Sequence, residues 1–82
     1  MNIDKIKVGK IIFMEHWEGK FWGEVISIKE DFDTWLIQCH CHKELENVVN
    51  GDFSHRWTAT PNQIKESLTK EQAKDRVLLR KL

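Results

Sequence analysis

Apolar and polar side chains alternate along residues 34–42, and this pattern constrains the fold more than any other feature of the sequence. The two interleaved sets are Trp35, Ile37, Cys39 and Cys41, and Leu36, Gln38, His40 and His42. Because successive side chains of a strand point to opposite faces, a period of two predicts a half-buried β-strand. Such a strand is stable only with partners, so the rest of the chain must supply a sheet.

Two further strands are predicted before this one. Residues 10–14 include four consecutive apolar side chains, which indicates a strand that is buried on both faces or strongly bent. The segment 17–20 contains a turn signal, and residues 21–29 predict the next strand, in which Gly23 marks a bulge or a sharp bend. Residues 30–33 then form a polar turn before the alternating strand.

The second half of the chain predicts a hairpin followed by a helix. Asn50-Gly51 between apolar residues is a strong hairpin signal, which makes residues 53–58 the return strand. Thr60 is followed by Pro and, three residues on, by Gln, the signature of a capped helix start. We therefore expect a helix over residues 61–82, either continuous or broken at Thr69, where the capping signature recurs.

Length and composition limit the class of protein. A chain of 82 residues forms one small hydrophobic core and is too short for a two-domain enzyme. The sequence holds no apolar run of membrane-spanning length, and its first residues lack the apolar region of a signal peptide. A disulfide between Cys39 and Cys41 would close a loop too small to stabilise the fold, so we expect reduced thiols and a cytoplasmic location.

The predicted fold is mainly β (α+β), with residues 1–60 as the β-structure and residues 61–82 as a helical segment packed on it. Short antiparallel strands of this number favour a small barrel or a strongly bent sheet of 4–5 strands. The segments 7–12 and 22–28 resemble those of small SH3-like barrels of the Tudor and KOW type. The resemblance covers residues 7–60 and implies a binding module for peptides, modified side chains or nucleic acid, not an enzyme.

Tryptophan indicates how such a module would bind. The chain has four Trp and four Phe, more than a small barrel buries, and Trp is enriched at binding hot spots. We expect an exposed Trp-rich patch that binds a larger protein, with the chain acting as an inhibitor or adaptor. Core placement is the alternative for Trp22 and Trp35. The expected anchors are Trp17, Trp22, Trp57, Arg56 and His55, with Glu18, Glu24 and Asp31 setting the orientation of the partner.

The charge distribution leaves other partners open. The formal net charge is zero, with −4 over residues 15–33 and +3 over residues 61–82. Overall neutrality favours a protein partner, and nucleic-acid binding is the alternative. Nucleic-acid binding would use Lys70, Lys74, Arg76, Arg80 and Lys81. The acidic stretch 30–33 predicts a solvated turn, or else a surface that mimics phosphates or docks on a basic partner. Self-association is a further alternative, through Val77, Leu78, Leu79 and Leu82.

The sequence Cys39-His40-Cys41-His42 has the residue types of a metal site. On a regular strand, however, the cysteines face one way and the histidines the other, so the four cannot converge on one zinc ion. His16 and His55 are the side chains that could complete a histidine half-site. The same alternation separates Cys39 from His40 as a catalytic pair. We expect no cofactor and no catalytic residue. An aromatic cage for a methylated cation, with Glu18 or Glu24, is a narrower alternative.

Overall fold

The computed structural model describes residues 1–80, which form a five-stranded antiparallel sheet with two α-helices on one face. The strand order is β4-β3-β2-β1-β5. None of the helices within residues 1–80 is long and apolar enough to cross a membrane. The elements are strands β1 (Ile11–His16), β2 (Gly19–Asp31), β3 (Thr34–His42), β4 (His55–Ala59) and β5 (Ile64–Leu68), helices α1 (Leu45–Val49) and α2 (Lys70–Arg80), and 3-10 turns at Ile3–Lys5 and Pro61–Gln63.

The predicted fold class is confirmed, as a bent sheet with a C-terminal helix. The closed SH3-like barrel is not formed: β4 and β5 are the two edges of an open sheet. Residues 60–63 join these edges, and Pro61–Gln63 is a 3-10 turn. Such a link reaches about 13 Å, whereas the outer strands of a flat five-stranded sheet lie about 19 Å apart. The sheet must therefore curl, and its concave face holds one of two cores.

The alternating strand is confirmed at its predicted bounds, Thr34–His42. Ile37, Cys39 and Cys41 are buried in the concave core, as the period of two requires. Of the bulge or sharp bend predicted at Gly23, the bulge is wrong, because the register of β2 with β3 shifts between Val25 and Ser27 instead. Gly23 instead allows the neighbouring strands to pack closely, because it has no side chain.

A side chain at Gly23 would collide with three neighbours on the concave face. An added Cβ would lie 2.8 Å from Met14 Cε, 3.1 Å from Cys39 Cβ and 3.1 Å from Cys41 Sγ. These strands therefore pack at a distance that only glycine permits.

The Asn-Gly hairpin is wrong, because these residues end helix α1. Gly51 has φ +76°, and its N–H donates to Val48 O at 3.1 Å. The N–H of Asp52 donates to Asn47 O at 2.8 Å, which completes a Schellman motif. Strand β4 then starts at His55 and pairs with β3.

The helix predicted over residues 61–82 is wrong over Ile64–Leu68, which pairs with β1 as strand β5. The break at Thr69 is correct. Thr69 and Gln72 form a reciprocal cap, with Gln72 N–H donating to Thr69 Oγ1 at 3.1 Å and Thr69 N–H to Gln72 Oε1 at 2.9 Å. Residues 81–82 of the prediction lie outside the described chain.

The β2–β3 turn places a bulky side chain in the left-handed region. Phe32 has φ +52°, and it is joined to Thr34, the partner of Asp31, through Asp33 alone. A left-handed backbone costs a residue with a Cβ roughly 1–2 kcal/mol, and only Gly and Asn adopt it readily. The ring of Phe32 is 95% exposed, so core packing does not offset this cost.

We expect Phe32→Asn to raise the free energy of unfolding by about 0.5–1 kcal/mol, because Asn tolerates the left-handed region and no buried contact is lost. Urea unfolding of both proteins measures the difference. Asp33→Asn, next to it in the turn, is the matched control and should leave the free energy nearly unchanged. Equal or lower stability of Phe32→Asn would contradict a strained turn.

We expect Gly23→Ala to lower the free energy of unfolding by about 2 kcal/mol, the usual cost of overpacking. The double variant with Cys41→Ala should be less destabilised than the sum of the two single variants, since the colliding Sγ is absent. Additive losses in urea unfolding would show that this contact is not the cause.

Candidate protein-binding site

The predicted anchors do not form one patch. Trp17, in the β1–β2 turn, is 83% exposed, but Trp22 is only 7% exposed and lies in the core beneath the helices. Trp57 is half-buried against the concave core. Trp22 is therefore corrected from an exposed anchor to a core residue. Trp35 also packs against the concave core.

Four rings gather on the concave face in what we call the histidine cluster, His16, Phe21, His55 and Trp57. The rings of His16 and Trp57 stack with centroids 3.9 Å apart and planes 8° apart. The ring of His16 also stacks on that of Phe21 with centroids 5.1 Å apart, and the rings of Phe21 and His55 meet edge to face at 4.7 Å. Strands β1 and β4 are separated by two strands, so this contact exists only because the sheet curls.

Hydrogen-bond partners hold the rings of both histidines, and the one at His16 defines its neutral form. The N–H of Glu18 donates to His16 Nδ1 at 3.3 Å, which leaves the proton of neutral His16 on Nε2. Ser54 Oγ donates to Cys41 O at 3.2 Å and lies 2.8 Å from His55 Nδ1.

The Nε2 atoms of His16 and His55 are both buried, and neither has a hydrogen-bond partner among residues 1–80. Burial lowers the pKa of His16 below its ordinary value, and nearby His55 lowers it further, against the opposing effect of Glu18. The cluster is therefore built for the neutral imidazole of His16.

Trp17 is presented from this cluster. It directly follows His16, and the paired residues His16 and Gly19 leave only Trp17 and Glu18 in the turn. The bond from Glu18 N–H to His16 Nδ1 ties the turn to a ring that is stacked on Trp57. The exposed indole thus stands on a short turn whose base is fixed.

The other predicted anchors are dispersed. Arg56 is exposed, and strand alternation puts it on the face of β4 opposite to His55 and Trp57. Glu24 lies opposite Ile11 in β1 and pairs with Lys70 at 3.8 Å. Asp31 ends β2, at the other end from Trp17. Of the expected anchors, the structure brings His55 and Trp57 together in the histidine cluster, and Trp17 and Glu18 lie in the turn that follows His16.

The sequence reasoning missed His16 and Phe21 as members of the site. Alternation in β1 would have placed His16 on the same face as Ile12 and Met14. Its contact with Trp57, 41 positions later in the sequence, depends on the curl of the sheet, which no local pattern encodes.

The Cys-His-Cys-His segment divides between the faces, as alternation predicts. Cys39 and Cys41 are fully buried, and their thiols donate to Ile37 O at 3.5 Å and Cys39 O at 3.7 Å. His40 packs near Phe53 on the helix side, away from His16 and His55, so these histidines do not form the half-site considered above. Within residues 1–80, no group of three or more metal-binding side chains converges.

The basic residues of the C-terminal region are partly neutralised. Arg76 pairs with Glu66 at 2.6 Å and lies over the ring of Trp22, 5.8 Å from its centroid. Lys70 pairs with Glu24, while Lys74 and Arg80 are exposed. Lys81 lies outside the described residues.

The apolar residues considered for self-association also divide. Val77 is buried against the sheet, and Leu78 and Leu79 are 61% and 69% exposed. Leu82 lies outside the described residues.

No protein-family profile, no curated protein and no solved structure matches this chain.

We expect the histidine cluster to make the fold sensitive to acid. Because the folded-state pKa of His16 is lowered, the unfolded chain binds more protons below about pH 6.5. The stabilising effect of neutral His16 is fully present above this pH, and it decreases as the pH falls toward the lowered pKa. Urea unfolding at pH 7.5 and 5.5 measures this loss.

The variant His16→Phe keeps an aromatic ring and removes the titrating group, so it should lose less stability than the wild type between these pH values. His40→Phe, on the other face of the sheet, is the control and should behave as the wild type does. An unchanged pH dependence in His16→Phe would show that His16 does not carry the effect.

Proposed function

We propose that this chain is a non-catalytic interaction module that binds a larger protein through the Trp17 end of its sheet, as an inhibitor or adaptor. The observation that carries the proposal is the 83% exposure of Trp17 on a turn anchored to the histidine cluster. Burying an indole removes up to about 200 Å² from water, worth on the order of 4–5 kcal/mol of hydrophobic free energy.

The short turn supports this role because it restricts the backbone conformations of Trp17 before a partner binds. Two residues separate the paired ends of β1 and β2, and His16 holds the turn from below. A side chain with two rotatable bonds on a fixed backbone loses little conformational entropy when a partner closes over it.

Charged residues surround the indole and are suited to the rim of an interface. Glu18 is exposed beside Trp17, and Glu15 and Lys20 face each other across the hairpin at 4.0 Å. Such solvent-exposed charges direct a partner's orientation and contribute little to affinity. Half-buried Trp57 and His55 extend the same end with further aromatic surface.

The Cys39 thiol is consistent with a non-catalytic role. Cys39 has no exposed surface, and its neighbour Cys41, together with burial, raises the pKa of its thiol above the ordinary value. A buried thiol of this kind is a weak nucleophile, since the thiolate is the reactive form.

Nucleic-acid binding remains the second candidate. Stacking of bases on exposed Trp17 favours it, together with the exposed side chains of Lys74 and Arg80. The zero net charge and the ion pairs of Arg76 and Lys70 favour a protein partner, because phosphate contacts would compete with Glu66 and Glu24.

We expect Trp17→Ser to weaken binding to the partner at least about 30-fold, as loss of a central aromatic anchor does. The partner is first identified by a photo-reactive benzoylphenylalanine placed at Glu18, the exposed neighbour of Trp17 in the turn, with the full chain in native extract. The same group at Glu71, an exposed site on α2, is the matched control and should give no adduct with that protein. Affinity is then measured with the purified partner.

Trp17→Ser should keep the free energy of unfolding within about 0.5 kcal/mol of the wild type, because the side chain is exposed. Equal affinity of Trp17→Ser and wild type would contradict the proposed site. Retention on DNA or RNA that falls steeply between low and moderate salt would instead favour the nucleic-acid alternative.

A further inference from the structure

The β2–β3 turn carries the most exposed large apolar side chain among residues 1–80. Phe32 is 95% exposed, and Glu30, Asp31 and Asp33 are exposed around it. The proposed function does not use this end of the molecule. Trp17 and Phe32 flank the two ends of β2, which has 13 residues and spans up to about 40 Å.

The hairpin that holds Phe32 extends beyond its neighbours in the sheet. The pairing of β1 with β2 reaches only to Glu24, and that of β4 with β3 reaches only from Cys41 to Ile37. Residues 29–36 therefore have no flanking strand, and residues 29–34 at the tip are exposed.

The ring of Phe32 makes no buried contact within residues 1–80 that would stabilise the fold. Its side chain is almost fully exposed and its backbone has the left-handed φ of +52° that glycine or asparagine adopts at lower cost. Strained residues of this kind are concentrated at binding sites, and exposed aromatic rings are typical anchors of interfaces.

We propose that the tip around Phe32 is a second docking surface, for a protein segment that presents arginine. A guanidinium group binds the face of an aromatic ring and donates paired hydrogen bonds to carboxylates, and this tip supplies both. The net charge over residues 29–34 is −2, which attracts a cationic segment and repels the phosphates of a nucleic acid. Arginine fits better than lysine because its planar fork stacks and bridges at once.

A second docking surface would allow the chain to hold two partners together. An average protein interface covers about 800 Å² on each side, a patch that does not span both ends of β2. The docking of an arginine segment at Phe32 therefore does not depend on binding at Trp17, and the two proposals fail separately.

The test selects peptides from a random dodecapeptide display library against the full chain, and then titrates synthetic peptides of the recovered sequences. We expect arginine-enriched sequences whose affinity falls at least tenfold in Phe32→Asn and in the double variant Asp31→Asn with Asp33→Asn. Affinity should also fall with added salt. Phe32→Tyr should keep the binding, and Trp17→Ser should leave it unchanged.

Far-UV circular dichroism confirms that Phe32→Asn is folded, so a loss of binding reports the missing ring. Failure to enrich arginine, or equal binding by wild type and Phe32→Asn, would overturn the proposal. Loss of binding in Trp17→Ser would also overturn it, since the peptides would then occupy the other end of the sheet.

Discussion

The short link between β4 and β5 determines the shape of the molecule. Residues 60–63 must connect opposite edges of a five-stranded sheet, and they reach only if the sheet curls. Side chains fix the link in place: Gln63 Oε1 accepts from Thr60 N–H at 3.3 Å and from Trp57 Nε1–H at 3.5 Å. The amino group of Met1 donates to Pro61 O at 2.9 Å from the other end of the chain.

The curl of the sheet determines where both cores lie. On the concave side it brings β1 and β4 close enough for His16 to stack on Trp57. On the other side it leaves room for α1 and α2, which bury Trp22 with Leu45 and Val77. Both faces of the sheet are therefore largely covered, and the two turns at the ends of β2 present the exposed aromatic rings.

Local patterns in the sequence predicted the elements that depend on local physics. Alternation defined β3 to the residue, and the cap at Thr69 correctly marked the start of α2. The signal at Asn50-Gly51 misled because a positive φ at glycine ends a helix as readily as it turns a hairpin. Thr60 N–H donates to Gln63 Oε1, one half of a capping box, but the 3-10 turn that follows is short, and Ile64 and Leu68 then pair with β1 and are buried.

The candidate site was predictable only in part, because several of its contacts join distant parts of the chain. An indole in a tight turn is expected to be exposed, and Trp17 is, but the burial of Trp22 depends on helices that pack from distant parts of the chain. The cluster of His16 with Trp57 joins strands that are not neighbours. Likewise, the polar turn at residues 30–33 was recognisable, whereas the backbone angle of Phe32 was not.

Because the structure is closely packed around Gly23, the two cysteines beside it can report when the sheet opens. The thiols of Cys39 and Cys41 line the concave wall beside this glycine and have no surface accessible to water. An alkylating reagent reaches them only when the sheet uncurls, so the rate of thiol modification counts these excursions without an added label. A ligand that binds at either end of β2 and holds the sheet closed would slow the alkylation of these thiols, although it does not contact them.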